Sequence, residues 1–281
     1  MNRMHYWQMQ PEEAYSSFLS MMEKVVEANS AKAGPATKDR IYQHETFVKF
    51  AYHIASILTL ETGSRFSNTT NEKTSYDYSS VIVLFRAALE TYLTYYYIYS
   101  DVRDSDERTL RFHNWMIDGL NLRQRADVSF SADLELKKAL EAVDIHNSIR
   151  IIQSTDAFER LSEKDQHLIV SKRKWLRPGW ADIFARTGMA KYWARMLYSV
   201  FSAYAHTSSL SIMQFKDATV RNEGKLLTTS LARLILTVCA LFIDSYRTDF
   251  SLEVTLEERE LEMLEAWIWF STHLPSPSSD R

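Results

Sequence analysis

Apolar residues return at three- and four-residue intervals along most of the chain, the period of helices with one buried face. Pro11 suits a first helical position, and Glu12 and Glu13 follow it in the favourable first turn, so a helix is predicted over residues 11–29. Ala33-Gly34-Pro35 ends it, and a second helix over 38–61 stops at Gly63. Residues 64–75 are polar, lack periodicity and read as a loop; a third helix spans 76–100. The fourth begins near Asp104 and carries Leu110, Trp115, Met116 and Leu120. Ser131 starts a fifth, with Leu134, Leu136, Leu140, Val143 and Ile151 as candidate buried positions. Ser162 with Asp165 reads as a further cap, and Pro178-Gly179 breaks the basic stretch KRKWLRPGW. Apolar helices follow over 190–206 and 226–247, with a polar loop at 216–225 between them. Thr255 and Glu258 form a capping box for a last helix over 256–273, and the Ser/Pro-rich tail 275–281 reads as disordered. The expected fold class is all-α: a multi-helix bundle of long antiparallel helices around buried central ones. With no repeat and no clear linker, residues 1–274 are expected as a single helical domain, with 1–62 a candidate N-terminal hairpin subdomain.

Composition sharpens this picture. Only 6 Gly and 5 Pro leave few chain reversals for a sheet protein. A net charge of −3 gives no global reason to expect nucleic acid or an acidic membrane as partner, though it leaves room for a local basic patch. The single Cys239 lies in an apolar run and reads as a small buried hydrophobe in a cytoplasmic protein. The first residues lack the apolar stretch of a signal peptide. Residues 79–100 are almost apolar enough to span a membrane, but Arg86 and Glu90 each cost about 2.5–3.5 kcal/mol at a bilayer centre. A buried central helix of a bundle is expected instead, and no membrane partner.

Those two charges are the first sign of a site. Arg86 and Glu90 stand four apart on one face of an otherwise apolar helix. In residues 191–208, Arg195, Ser199, Ser202 and His206 fall on one narrow line. In the helix from Leu226, Thr229, Arg233, Thr237 and Asp244 do the same. Buried charges pair or hydrogen-bond, so the three lines are expected to face one another or one cavity. Arg195 and His206 are about 16 Å apart along a helix and cannot touch one reacting atom together. Ser202 and His206 can touch, and so can Arg86 and Glu90. The candidate catalytic group is therefore Arg86, Glu90, Ser202 and His206. Arg195, Arg233, Asp244, Tyr97 and Tyr204 are candidate ligand-binding residues.

Two local patterns, the R-x-x-x-E of FRAALETY (residues 85–92) and the S-x-Y-x-H-x-S of SAYAHTS (202–208), resemble a group of uncharacterised bacterial helical proteins. The resemblance covers roughly the middle two-thirds of the chain and implies an all-α bundle with no established activity. The chain is also loosely similar to the HEPN superfamily, whose nucleases pair an Arg with a His four to six residues later to cleave RNA without metal. No arginine precedes His206 at that distance, so the similarity assigns the role to Arg86 from another helix.

No Glu-x-x-His pair, HExxH, CxxC, EF-hand loop or Gly-rich phosphate loop occurs, so no metal or cofactor is expected. The basic aromatic stretch from Lys172 to Trp180 reads as a solvated connection with its tryptophans tucked inward. The apolar face of the last helix, with Leu261, Leu264, Trp267 and Phe270, fits its own core or a homo-oligomer contact. The leading expectation is a cytoplasmic bacterial protein that binds or cleaves RNA or a nucleotide, in a defence or toxin-type system. If it is an enzyme, it is a metal-independent ribonuclease-like hydrolase or phosphodiesterase. The alternative is a non-enzymatic interaction module whose polar network is structural.

Overall fold

The computed structural model describes residues 3–32, 36–61, 63, 77–189, 201–204, 208–221 and 224–273. All regular structure among them is helical: α1 (Met4–Trp7), α2 (Pro11–Ser30), α3 (Lys38–Glu61), α4 (Tyr78–Tyr95), a π-helical turn (Tyr96–Ser100), α5 (Ser105–Gln124), α6 (Ala132–Gln153), α7 (Asp156–Glu159), α8 (Glu163–Val170), α9 (Trp180–Arg186), α10 (Ser209–Arg221), α11 (Gly224–Asp249) and α12 (Glu258–His273). The predicted loop 64–75 and the tail 275–281 fall outside the described residues.

Local chemistry starts these helices. Asp77, Asp104, Ser131, Thr155 and Ser162 each accept a backbone N–H from the residue three positions on. Each satisfies one of the donors a helix start leaves unpaired. Pro11 occupies the first turn of α2, with Glu12 and Glu13 beside it. Gly63 takes a positive φ of 88° just past α3, a conformation that favours glycine.

The helices form two compact units, Met1–Tyr96 with Trp180–Arg281, and Tyr97–Gly179. In the first, α4 packs on α3, α9 and α11; α2 packs on α3 and α11; α12 packs on α1 and α11. Phe242 of α11 is the centre of an aromatic cluster, with ring centroids 4.9 Å from Phe47, 4.8 Å from Phe50, 5.1 Å from Tyr92 and 4.6 Å from Tyr95. Each such ring contributes about 1.5–3 kcal/mol on burial, which is why α3, α4 and α11 pack in one register. Polar tips at the cluster edge are matched. Gln43 Nε2 donates to Tyr95 Oη at 2.8 Å, and Tyr246 Oη is hydrogen-bonded to His44 Nδ1 at 2.6 Å. By length and composition α11 could cross a membrane, but 81% of that stretch is buried inside the protein. It is the central helix of the first unit, and Cys239 is buried within it.

In the second unit α5 packs on α6 and α7. Asn114, buried on α5, clamps the connection after α8. Its Nδ2 donates to the Lys174 carbonyl at 2.9 Å, and its Oδ1 accepts from the Leu176 amide at 2.7 Å. The tryptophan ring of Trp175 lies half-buried beside Tyr97.

Several expectations are corrected. Leu134, Leu136, Leu140, Val143 and Ile151 are exposed, between 39% and 62%. Instead α6 turns Glu141, Ile145, Ser148 and Ile152 inward. Glu141 is bridged to Arg123 at 2.5 Å, and Ser148 Oγ is hydrogen-bonded to His113 Nδ1 at 3.1 Å, so polar residues fill the inner face without loss. The segment read as a loop at 216–225 is helical through Arg221, and α11 starts at Gly224. The last helix begins at Glu258, not at Leu256. Its entry is fixed by Glu260, whose carboxylate accepts from the Glu257 amide at 2.8 Å and from Lys24 Nζ at 2.7 Å. The short α1 was not predicted. Its Trp7 ring packs on Trp267 and Phe270 of α12.

Candidate functional site

The site is built on α4. Val81, Ile82, Phe85, Ala88, Leu89, Tyr92 and Leu93 are buried on its other faces. Arg86 and Glu90 share the remaining one, as four-residue spacing requires. Arg86 Nε donates to Glu90 Oε1 at 3.0 Å, with the two side chains 16% and 30% exposed. The pair therefore sits at the rim of the core, shielded but reachable by solvent. Two threonines follow it down the helix. Thr91 Oγ1 donates back to the Ala87 carbonyl at 2.7 Å and Thr94 Oγ1 to the Glu90 carbonyl at 2.8 Å, which keeps both hydroxyls satisfied on a helix with little water.

One ring contact joins the residue before the second motif to α4. Phe201 is 1% exposed, and its ring stands 6.0 Å from that of Phe85, the residue before Arg86. Residues 201–204 are helical, and Ser202 is half-buried. Tyr204 is buried, its hydroxyl has no hydrogen-bond partner among the described residues, and burial pushes its pKa up. Arg195 and His206 lie outside the described residues.

The other candidates stand elsewhere. Arg233 Nε donates to the Trp7 carbonyl at 3.1 Å, and its guanidinium lies 5.4 Å from the Trp7 ring. It holds α1 to α11 and does not join the Arg86–Glu90 pair. Along the same line of α11, Thr237 is fully buried and Asp244 is exposed, so that line runs from core to surface. Crowding around its carboxyl raises the pKa of Asp244, with Arg247 opposing.

Tyr97 belongs to the second unit, at the π-helical turn. Such turns widen the backbone ring and recur at functional sites. Its hydroxyl donates to the Leu176 carbonyl at 3.2 Å. Arg111 of α5 packs its guanidinium 4.1 Å from the Tyr97 ring and donates to the carbonyls of Tyr97 at 2.5 Å and Asp101 at 2.6 Å. Its other arm donates to Glu107 at 2.7 Å. Burial pushes the Glu107 carboxyl up, but the Arg103 amide and the Arg111 guanidinium outweigh it and hold the pKa below the usual carboxylate range. Arg111 and Asn114, both essential to this unit's backbone, went unnoticed in the sequence. The available signal was an Arg and an Asn at i and i+3 on one side of α5.

Among the described residues, no three His, Cys, Asp or Glu side chains gather in a group that could hold a metal ion. Of the candidate catalytic group, the described residues bring together Arg86 and Glu90, a guanidinium and a carboxylate on one face of α4. A family model, described as a family of unknown function (DUF5677), matches residues 73–224, more than half of the chain and a span that includes both motifs. No curated protein and no solved structure matches the chain.

Proposed function

The chain belongs to this family of unknown function (DUF5677), and we propose that it binds RNA or a nucleotide at the Arg86–Glu90 edge of α4 and cleaves a phosphodiester there without metal. The carrying observation is the Arg86–Glu90 pair, held on one face of α4 and part-exposed; the contact of Phe201, the residue before the S-x-Y-x-H-x-S motif, with Phe85 supports it. A guanidinium suits a phosphate because its planar fork matches two oxygens at once. Glu90 fixes the plane of that fork through the Nε bond. His206, four residues after Ser202, is the general acid and base, since an imidazole exchanges protons near neutral pH. On RNA it removes the 2′-hydroxyl proton. The 2′-oxygen then attacks the adjacent phosphorus, forming the cyclic phosphate as the bond to the 5′-oxygen breaks, and the 5′-oxygen leaves with the proton that His206 returns. Arg86 stabilises the charge that builds on the phosphoryl oxygens. This division of labour is similar to that of HEPN nucleases, with the arginine drawn from a different helix. In the cell it fits a cytoplasmic defence or toxin-type effector.

A second reading is favoured by the same pair: a guanidinium already hydrogen-bonded within its own helix also suits a structural network in an interaction module. Cleavage of labelled RNA in EDTA separates the two. The nuclease reading expects fragments ending in 2′,3′-cyclic phosphate, with activity lost in His206→Ala and Arg86→Gln at unchanged melting temperature. A lowered melting temperature in Arg86→Gln, with no cleavage by the parent protein, is the result of the structural reading.

A further inference from the structure

The outer face of α6 carries an apolar stripe that its own unit leaves uncovered. Leu136, Leu140, Val143 and Ile151 are 62%, 61%, 56% and 40% exposed, and Phe130, just before the cap at Ser131, is 79% exposed. At 100° per residue the four helical positions fall within a sector of about 80°. They run at intervals of four, three and eight, and Asn147 fills the gap four after Val143. Leu136, Leu140, Val143 and Asn147 keep the four-three-four seam spacing of paired helices; the next seam position is Arg150, with Ile151 beside it. All of residues 97–179 are described, so the stripe is complete.

We propose that this face is a homodimer interface, in which α6 of one copy packs antiparallel on α6 of a second copy, crossing near Leu140. The stripe is complementary to itself in that direction. A two-fold axis at the crossing makes residue i meet j while j meets i. Leu140 then faces its own copy, Leu136 faces Val143, and Phe130, ten residues before the centre, faces Ile151, eleven after it. On the flank, Lys137 faces Asp144 of the other copy twice over.

The area is sufficient. The five residues expose on the order of 500 Å² per copy, the size of a functional apolar patch, and up to about 1,000 Å² over two copies, the lower bound of a specific interface. A lipid surface is the poorer occupant. Membrane-lying helices carry a basic polar face, whereas here Asp133 and Asp144 flank the stripe together with Lys137.

Sedimentation velocity of the full chain from low to high micromolar concentration tests this. The parent protein is expected to dimerise, and Leu140→Glu to weaken the dimer more than about tenfold. Its far-ultraviolet circular dichroism should be unchanged, because Leu140 is exposed, and its melting temperature should match the parent's at concentrations where the parent is monomeric. Mild oxidation gives the direction. Leu140→Cys should cross-link to itself. Leu136→Cys should not, because its two copies are displaced by about 12 Å along the helices, beyond disulfide reach. A mixture of Leu136→Cys and Val143→Cys should cross-link. A monomer at every concentration, a Leu140→Glu variant that stays dimeric, or self-linking of Leu136→Cys in preference to Leu140→Cys would overturn the proposal.

Discussion

Replacing Arg111 by alanine is expected to cost the second unit as much as a large apolar truncation. The guanidinium is 11% exposed, and it donates to two carbonyls of the π-helical region and to the Glu107 carboxylate. Hydrogen bonds to charged groups contribute roughly 1.5–3 kcal/mol each. Removing one partner of a buried ion pair costs about 3–5 kcal/mol, because the other charge is stranded. Water entering the cavity offsets part of this, so a net loss of about 3–4 kcal/mol is expected. Urea denaturation followed by circular dichroism at neutral pH reads it directly. Arg111→Lys should recover part of the loss, since it restores charge but not the two-armed geometry. The pH dependence supplies a second check. The folded Glu107 pKa is held down, so its contribution is present above the unfolded carboxylate value and is lost as pH falls through the lower folded one. Arg111→Ala should flatten that acid-side decline. A loss below about 1 kcal/mol, the worth of a single neutral hydrogen bond, would refute the reasoning.

Two further perturbations address the first unit. A Cβ at Gly224 would stand 2.7 Å from Tyr78 Cδ1, and the Tyr78 ring is stacked on Phe215, so it has nowhere cheap to move. Gly224→Ala should lower stability by about 1–3 kcal/mol in thermal denaturation, against the gain ordinarily expected from removing a helical glycine. Tyr204→Phe deletes a buried hydroxyl with no partner among the described residues, so it should leave the melting temperature unchanged or raised. A drop would show that the hydroxyl is bonded in solution, and unchanged stability with weaker RNA binding would assign it to the ligand.

The helix starts were legible because they are local. Asp104, Ser131 and Ser162 cap within three residues, and Pro11 pre-sets its own φ, so nothing distant decides them. The facing of α6 was not legible. It is apolar on two sides, and Glu141 and Ser148 fill the inner one only because Arg123 and His113 of α5 reach them. The same limit explains Arg233, which belongs with Trp7, a residue more than two hundred positions away on a one-turn helix with no periodicity to announce it. The Arg86–Glu90 pair was readable from spacing alone, since both members are on one helix. Its neighbour Phe201 was not, since that contact needs the tertiary fold.

The way Tyr97 is held has a consequence for how the chain is made. Its hydroxyl donates to Leu176 and its ring lies 6.4 Å from that of Trp175, so the two ends of the second unit meet. A segment whose ends meet can be inserted into a host without stretching it, and the host here is discontinuous, Met1–Tyr96 with Trp180–Arg281. On the ribosome the insert is finished first. It can fold while the first half of its host waits with the α4 side that α11 will cover still open, a surface exposed until the last hundred residues arrive. Residues 1–96 are therefore the stretch most in need of protection from aggregation during synthesis, and grafting a short turn between positions 96 and 180 would remove that delay.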